Sequence, residues 1–177
     1  MMSGRAEEVN AGEFKNQNNR AGNTEFVDHT LVEGTLRQGF KYYAALNDPM
    51  AKAIFVMFMI SKIHPFTDGN GRISRIMGNA ELFKSGLSRI IVPTVFREDY
   101  ILSLKRMTNR KYPNTYIRVM DKLQYFSKYS NISLGRISFK RLSLISDNDD
   151  DIVIFFLQIS HFCLYSTTSQ FDPMYFI

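Results

Sequence analysis

The chain has 177 residues, 45% of them hydrophobic, which suits one packed domain with perhaps a tail and argues against a disordered chain. A net charge of +5 comes from scattered Lys and Arg without an evident recognition helix, so no nucleic-acid partner is expected. The single cysteine, Cys163, excludes an internal disulfide, and with a polar N-terminus and a longest apolar run of only Ala53 to Ile60 the expectation is a cytoplasmic protein with no membrane segment.

Residues 3 to 23 are rich in Gly, Asn, Lys and Arg and lead into an expected hairpin, with "GEFK" and "TEFV" as short strands around "NQNNRAGN". Leu31 to Ala45 reads as a helix with Leu31, Val32, Leu36, Phe40 and Tyr43 near one face. "LNDP" ends it; Asp48 caps the next helix and Pro49 fits its first turn. That helix, about Met50 to Ile63, is apolar on every side and should be central and buried, with Met50, Met57 and Met59 as core filler. A further helix is expected from near Gly71 to Gly86, with Ile73, Ile76, Met77, Ala80, Leu82 and Phe83 as its apolar stripe. Two more follow the breaks at Pro93 and Pro113, about Glu98 to Thr108 and Thr115 to Ser127. Past Lys128 the pattern weakens. "DNDDD" reads as a solvated turn, and His161 with Cys163 supplies too few ligands for a metal.

The chemistry concentrates in "KIHPFTDGNGRISR", residues 62 to 75, between the buried helix and the next one. Gly69 and Gly71 permit close backbone approach, and the following helix start presents N–H groups that suit an anion. Arg72 and Arg75 lie three apart on the first turn. There they oppose the helix dipole by about 0.3–1 kcal/mol each, so a polyphosphate explains them better than folding does. Asp68 beside phosphates would be repulsive unless Mg²⁺ sits between, and His64 can take a proton from a hydroxyl near neutral pH. Base, metal ligand, anion cup and charge clamp are the parts of a nucleotidyl or phosphoryl transferase.

"HPFTDGNGR", with Arg75 following, resembles the full signature of the Fic (filamentation induced by cAMP) family, and flanking segments over roughly residues 12 to 127 look similar too. The resemblance implies a mainly α fold, a helical bundle with a small β-hairpin flap at about 12–27 over the motif at 64–75, in a catalytic core spanning 1–127. Residues 128–177 would be a C-terminal extension of unknown role. It implies a protein adenylyltransferase that moves AMP from ATP to a Tyr, Ser or Thr hydroxyl of a target protein docked on the flap by strand addition. His64 would be the base and Asp68 the Mg²⁺ ligand. Gly69, Asn70 and Gly71 would form the anion cup, with the Asn70 amide on phosphate oxygen, and Arg72 and Arg75 would hold the β- and γ-phosphates. Phe66 would be a buried anchor and Pro65 a stiffener. Alternatives are transfer of UMP, phosphate or phosphocholine by the same scaffold, or a non-catalytic cell-division regulator binding through the flap. Gly71 favours AMP, because it leaves room for the outer phosphates.

Many relatives of this kind are inhibited by a helix bearing Ser/Thr-xxx-Glu-Gly/Asn, whose Glu occupies the second arginine. "HTLVEG" comes close, but His29 stands where Ser or Thr belongs. Glu33 is therefore expected to point away from Arg72 and Arg75, leaving inhibition by a separate protein, or none, as the options.

Overall fold

A computed structural model of the chain describes residues 12–110 and 113–130. The acidic run, His161 and Cys163 lie outside them. The described part is helical apart from one small hairpin, as the sequence leads one to expect. Strands β1 (Arg20–Ala21) and β2 (Thr24–Glu25) are followed by helices α1 (Val32–Ala45), α2 (Pro49–Ile63), α3 (Asn70–Lys84), α4 (Arg97–Arg110) and α5 (Asn114–Ser130), with short 3-10 turns at His29–Leu31 and Thr94–Phe96. Among the described residues no helix is long and apolar enough to cross a membrane.

Helix α2 is the centre. The Asp48 carboxylate accepts the Ala51 N–H at 2.6 Å and Pro49 occupies the first turn, so the start of the helix is capped as its sequence demands. Every residue from Ala53 to Ile60 is buried, including Met57 and Met59. Helices α1 and α3 pack on α2, and α5 reaches it through the buried Tyr116, whose hydroxyl donates to the Ile54 carbonyl at 3.2 Å. The Asn79 side chain accepts the Ile90 N–H (2.7 Å) and donates to the Ile90 carbonyl (2.9 Å), pinning the linker that delivers α4.

Three expectations need correction. The first strand is not "GEFK": residues 13–15 are in neither strand, and the Lys15 N–H donates instead to the Pro65 carbonyl at 2.8 Å, 50 residues along the chain. The strand pairing moves inward to Arg20↔Glu25 and Ala21↔Thr24 around the two-residue turn Gly22–Asn23, where Gly22 has φ +59°. Of the stripe expected on α3, Leu82 is buried and Ile73 and Met77 pack partly buried against the core, but Ile76 and Phe83 are exposed and the buried line is completed by Asn70, Ser74 and Gly78. The reason is a close helix crossing: a Cβ on Gly78 would lie 2.3 Å from Met57 Cγ and 2.9 Å from the Ala53 carbonyl, so small residues face α2. On α1 and at its N-cap, Val32 is buried and Leu31, Leu36 and Tyr43 pack against the core as expected, together with the buried Thr35 and Gly39, while Phe40 is exposed.

Candidate active site

His64 ends α2 with φ 54° and ψ 58°, and it is the one non-glycine residue with positive φ among the described residues. That left-handed conformation costs roughly 1–2 kcal/mol for a residue with a Cβ. It turns the chain sharply out of the buried helix while the His64 N–H still reaches the Ile60 carbonyl at 2.9 Å. The ring Nδ1 lies 3.2 Å from the Ser61 carbonyl. A carbonyl only accepts, so Nδ1 carries the proton and Nε2 keeps its lone pair. The imidazole stacks on Phe26, with centroids 3.7 Å apart and planes 10° from parallel. Burial lowers its pKa, reinforced by Lys15 and opposed by the Ser61 carbonyl and Asp68. Its lowered pKa favours the neutral imidazole, with the lone pair on Nε2.

The loop after His64 is fixed largely by the side chain of Asn70. Its Oδ1 accepts the Phe66 N–H at 2.9 Å and its Nδ2 donates to the Phe66 carbonyl at 2.7 Å, with the residue 1% exposed. The Asn70 amide therefore serves the loop backbone, and only one of its two Nδ2 hydrogens is used in doing so. Phe66 is half-buried rather than fully buried, its ring 5.8 Å from that of Phe14. Gly69, at φ +83°, is the N-cap of α3, and its carbonyl takes the Arg72 and Ile73 N–H groups at 2.9 and 3.0 Å. The Gly69 N–H meets Asp68 Oδ1 at 2.6 Å, and Asp68 Oδ2 pairs with Arg72 at 3.4 Å.

A cavity of about 500 Å³ lies between the hairpin, the end of α2, the start of α3, and α4. It brings His64, Gly71 and Arg75 together. Lys62, Arg75, Arg97 and Lys105 line it and among the described residues no carboxylate does, while Phe26, Phe58, Val92, Ile101 and Leu104 supply apolar wall. Positive charge beside an apolar wall is the chemistry of a nucleotide pocket. A Cβ on Gly71 would sit 3.4 Å from the Arg75 guanidinium, so the glycine keeps space beside that cation. Asp68 and Arg72 are not part of the cavity lining; they form their ion pair beside it. Among the described residues no group of three or more His, Cys, Asp or Glu could enclose a metal. Asp68 alone fits Mg²⁺ only as a single carboxylate, with phosphate and water oxygens completing the shell.

Glu33 pairs with Arg37 at 2.8 Å on the exposed face of α1. Among the described residues no carboxylate forms an ion pair with Arg75. Sequence reasoning missed Phe26, Lys15, Asn19 and Tyr100. Phe26 was visible only as part of a strand pattern. Lys15 and Asn19 act across 48 and 47 residues, a separation that leaves no local signal. Tyr100 is buried against Ser61, Ser74 and Arg75, and burial raises its pKa.

Comparison with known proteins identifies the family. The family model described as the Fic/DOC family matches residues 1–82. A Fido domain-containing protein of Dictyostelium discoideum is 33% identical over 109 residues, covering 59% of this chain and 76% of that protein. The chain belongs to the Fic/DOC family. Another Fic-family relative is the protein adenylyltransferase fic-1 of Caenorhabditis elegans, 33% identical over 89 residues, which is 50% of this chain. This chain spans only 16% of that relative's length. The solved structure of C. elegans Fic-1, residues 134–508, is a neighbour at TM-score 0.58 and 25% identity, covering 68% of this chain and 36% of that one.

Proposed function

We propose that the chain is a protein adenylyltransferase that transfers AMP from ATP to a hydroxyl of a target protein. The observation that carries the reading is the joining of His64, Gly71 and Arg75 in one cation-lined, partly apolar cavity. Its relatives named as adenylyltransferases support it.

His64 Nε2 takes the proton from the target hydroxyl, since Nδ1 is committed to Ser61. The oxygen attacks the α-phosphorus, forming the new P–O bond as the bond to pyrophosphate breaks. Main-chain N–H groups of Asn70 and Gly71 at the helix start, the Gly69 N–H being taken by Asp68, stabilise the charge on the phosphate oxygens. Arg75 and, after its pair with Asp68 opens, Arg72 hold the outer phosphates. Asp68 would hold Mg²⁺, which supplies neutralisation of phosphate charge. The cavity cations and its apolar wall orient the nucleotide. The target lies along the hairpin, whose two-residue strands offer a short edge for strand addition.

The test is incubation of the chain with ATP labelled at the α-phosphate and a cell lysate, followed by mass spectrometry of labelled proteins. AMP on Tyr, Ser or Thr side chains is the expected result. Label from the γ-position, or from UTP in preference to ATP, would move the reading to another transfer. Nucleotide binding without any labelled protein would favour a binding module.

A further inference from the structure

His64 is held from outside its own loop by the segment that precedes β1. The Lys15 N–H donates to the Pro65 carbonyl at 2.8 Å, and Asn19 Nδ2 to the Phe66 carbonyl at 3.2 Å. The Lys15 side chain runs inward. Its ammonium donates to Asn19 Oδ1 at 2.8 Å and to the Ile63 carbonyl at 3.4 Å, with the residue 4% exposed. No carboxylate pairs with it within 4 Å among the described residues. Burial lowers its pKa to about 8, with Asp28 pulling the other way. A buried ammonium lacking a counter-ion disfavours folding relative to an aliphatic chain. What it touches is the last carbonyl of α2, at the negative end of the helix dipole, immediately before the strained His64.

We propose that Lys15 is a positioning residue that clasps the end of α2 and so holds His64 in its left-handed conformation with the imidazole flat against Phe26. The role rests on the reading of His64 as base. The clasp also ties the hairpin to the reacting histidine. Asn19 precedes β1 and bonds Phe66, while Phe26 follows β2 and stacks on His64. The cation beside the imidazole opposes its protonation. The other groups around His64 are Asp68 on the loop, Lys62 on α2, Arg75 on α3, and Tyr100, Arg97 and Lys105 on α4. The Lys15 side chain bonds the backbone of the residue immediately before His64.

The experiment is side-chain NMR of His64 in the full chain, without nucleotide or target, for the unsubstituted protein, Lys15→Met and Lys15→Gln. Stacking on Phe26 should shift the unsubstituted His64 Cε1–H upfield of that of His29. In Lys15→Met this shift should collapse and the His64 titration midpoint should rise. Lys15→Gln keeps a donor for Ile63 but no charge, so it should retain the upfield shift while the midpoint still rises. In the transfer assay, kcat should fall about tenfold or more in Lys15→Met with KM for ATP within about twofold, as expected for lost orientation rather than lost nucleotide contact. An unchanged shift and midpoint in either folded variant would overturn the proposal. Absence of the upfield shift in the unsubstituted protein would do so even if both variants fail to fold. The NMR readout requires no activity, so its failure is distinguishable from failure of the adenylyltransferase reading.

Discussion

Replacing Asn70 by Ala should destabilise the chain more than its single side chain suggests. The amide is 1% exposed and makes both an accepted and a donated bond to the Phe66 peptide unit. The Phe66 carbonyl keeps a second donor in Asn19 Nδ2 at 3.2 Å, so the substitution orphans only the Phe66 N–H. An unsatisfied partly buried donor costs about 1–3 kcal/mol and the lost second bond about 1 kcal/mol. The better helix propensity of Ala offsets roughly 0.5 kcal/mol at most. The expected loss is therefore about 1.5–4 kcal/mol; Asn19→Ala should cost about 1.5–3 kcal/mol, because Asn70 still serves the carbonyl but the buried Lys15 ammonium loses its Asn19 Oδ1 acceptor. Urea unfolding followed by far-UV circular dichroism, with slopes compared to exclude a change in the unfolded state, gives both numbers. The same preparations report Mg-ATP affinity. If Asn70→Ala is as stable as the unsubstituted chain yet binds ATP poorly, the amide contacts phosphate directly and the loop-fixing role is wrong.

Other perturbations separate the remaining parts of the account. Transfer should require a divalent cation and be lost in Asp68→Ala; full activity in EDTA would refute the single-carboxylate site. Glu33→Gly should leave automodification unchanged, because Glu33 pairs with Arg37 rather than Arg75; a large rise would reveal an inhibitory role. Gly78→Ala should lower stability by about 1–2 kcal/mol, the overpacking against Met57 and Ala53 exceeding the gain in helix propensity, and a thermal midpoint at or above that of the unsubstituted chain would contradict the close α2–α3 crossing. The base must be neutral, and burial holds the His64 pKa below its ordinary 6.5, so the rate should rise with pH and level off by about pH 7. An acid limb centred above 6.5 would contradict the buried, stacked imidazole.

The capped start of α2 and the glycine stop of α3 were legible because they rest on local chemistry: Asp48 and Pro49 at one end, and Gly86 with φ +69° at the other. The motif loop was legible for the same reason, since its glycines, arginines and His64 lie within one short stretch. The inward face of α3 was not. Apolar periodicity selects large residues, whereas a close crossing selects small ones, and Gly78 beside Met57 is decided by α2 rather than by α3's own pattern. The first strand was misplaced because "GEFK" has strand-like composition, but the Lys15 N–H is taken by Pro65. The bonds of the Asn70 amide to both ends of the Phe66 peptide unit were not legible, because they depend on how the loop folds back on itself.

The central claim is that His64 is the base and does not itself bind the nucleotide. The most direct measurement is to compare His64→Ala with the unsubstituted chain for AMP transfer and for Mg-ATP affinity in the same preparation. The account predicts that transfer falls about 10²–10⁴-fold while the Kd for Mg-ATP stays within about threefold. Transfer that survives within tenfold, or a loss of ATP binding large enough to explain the loss of transfer, would contradict it.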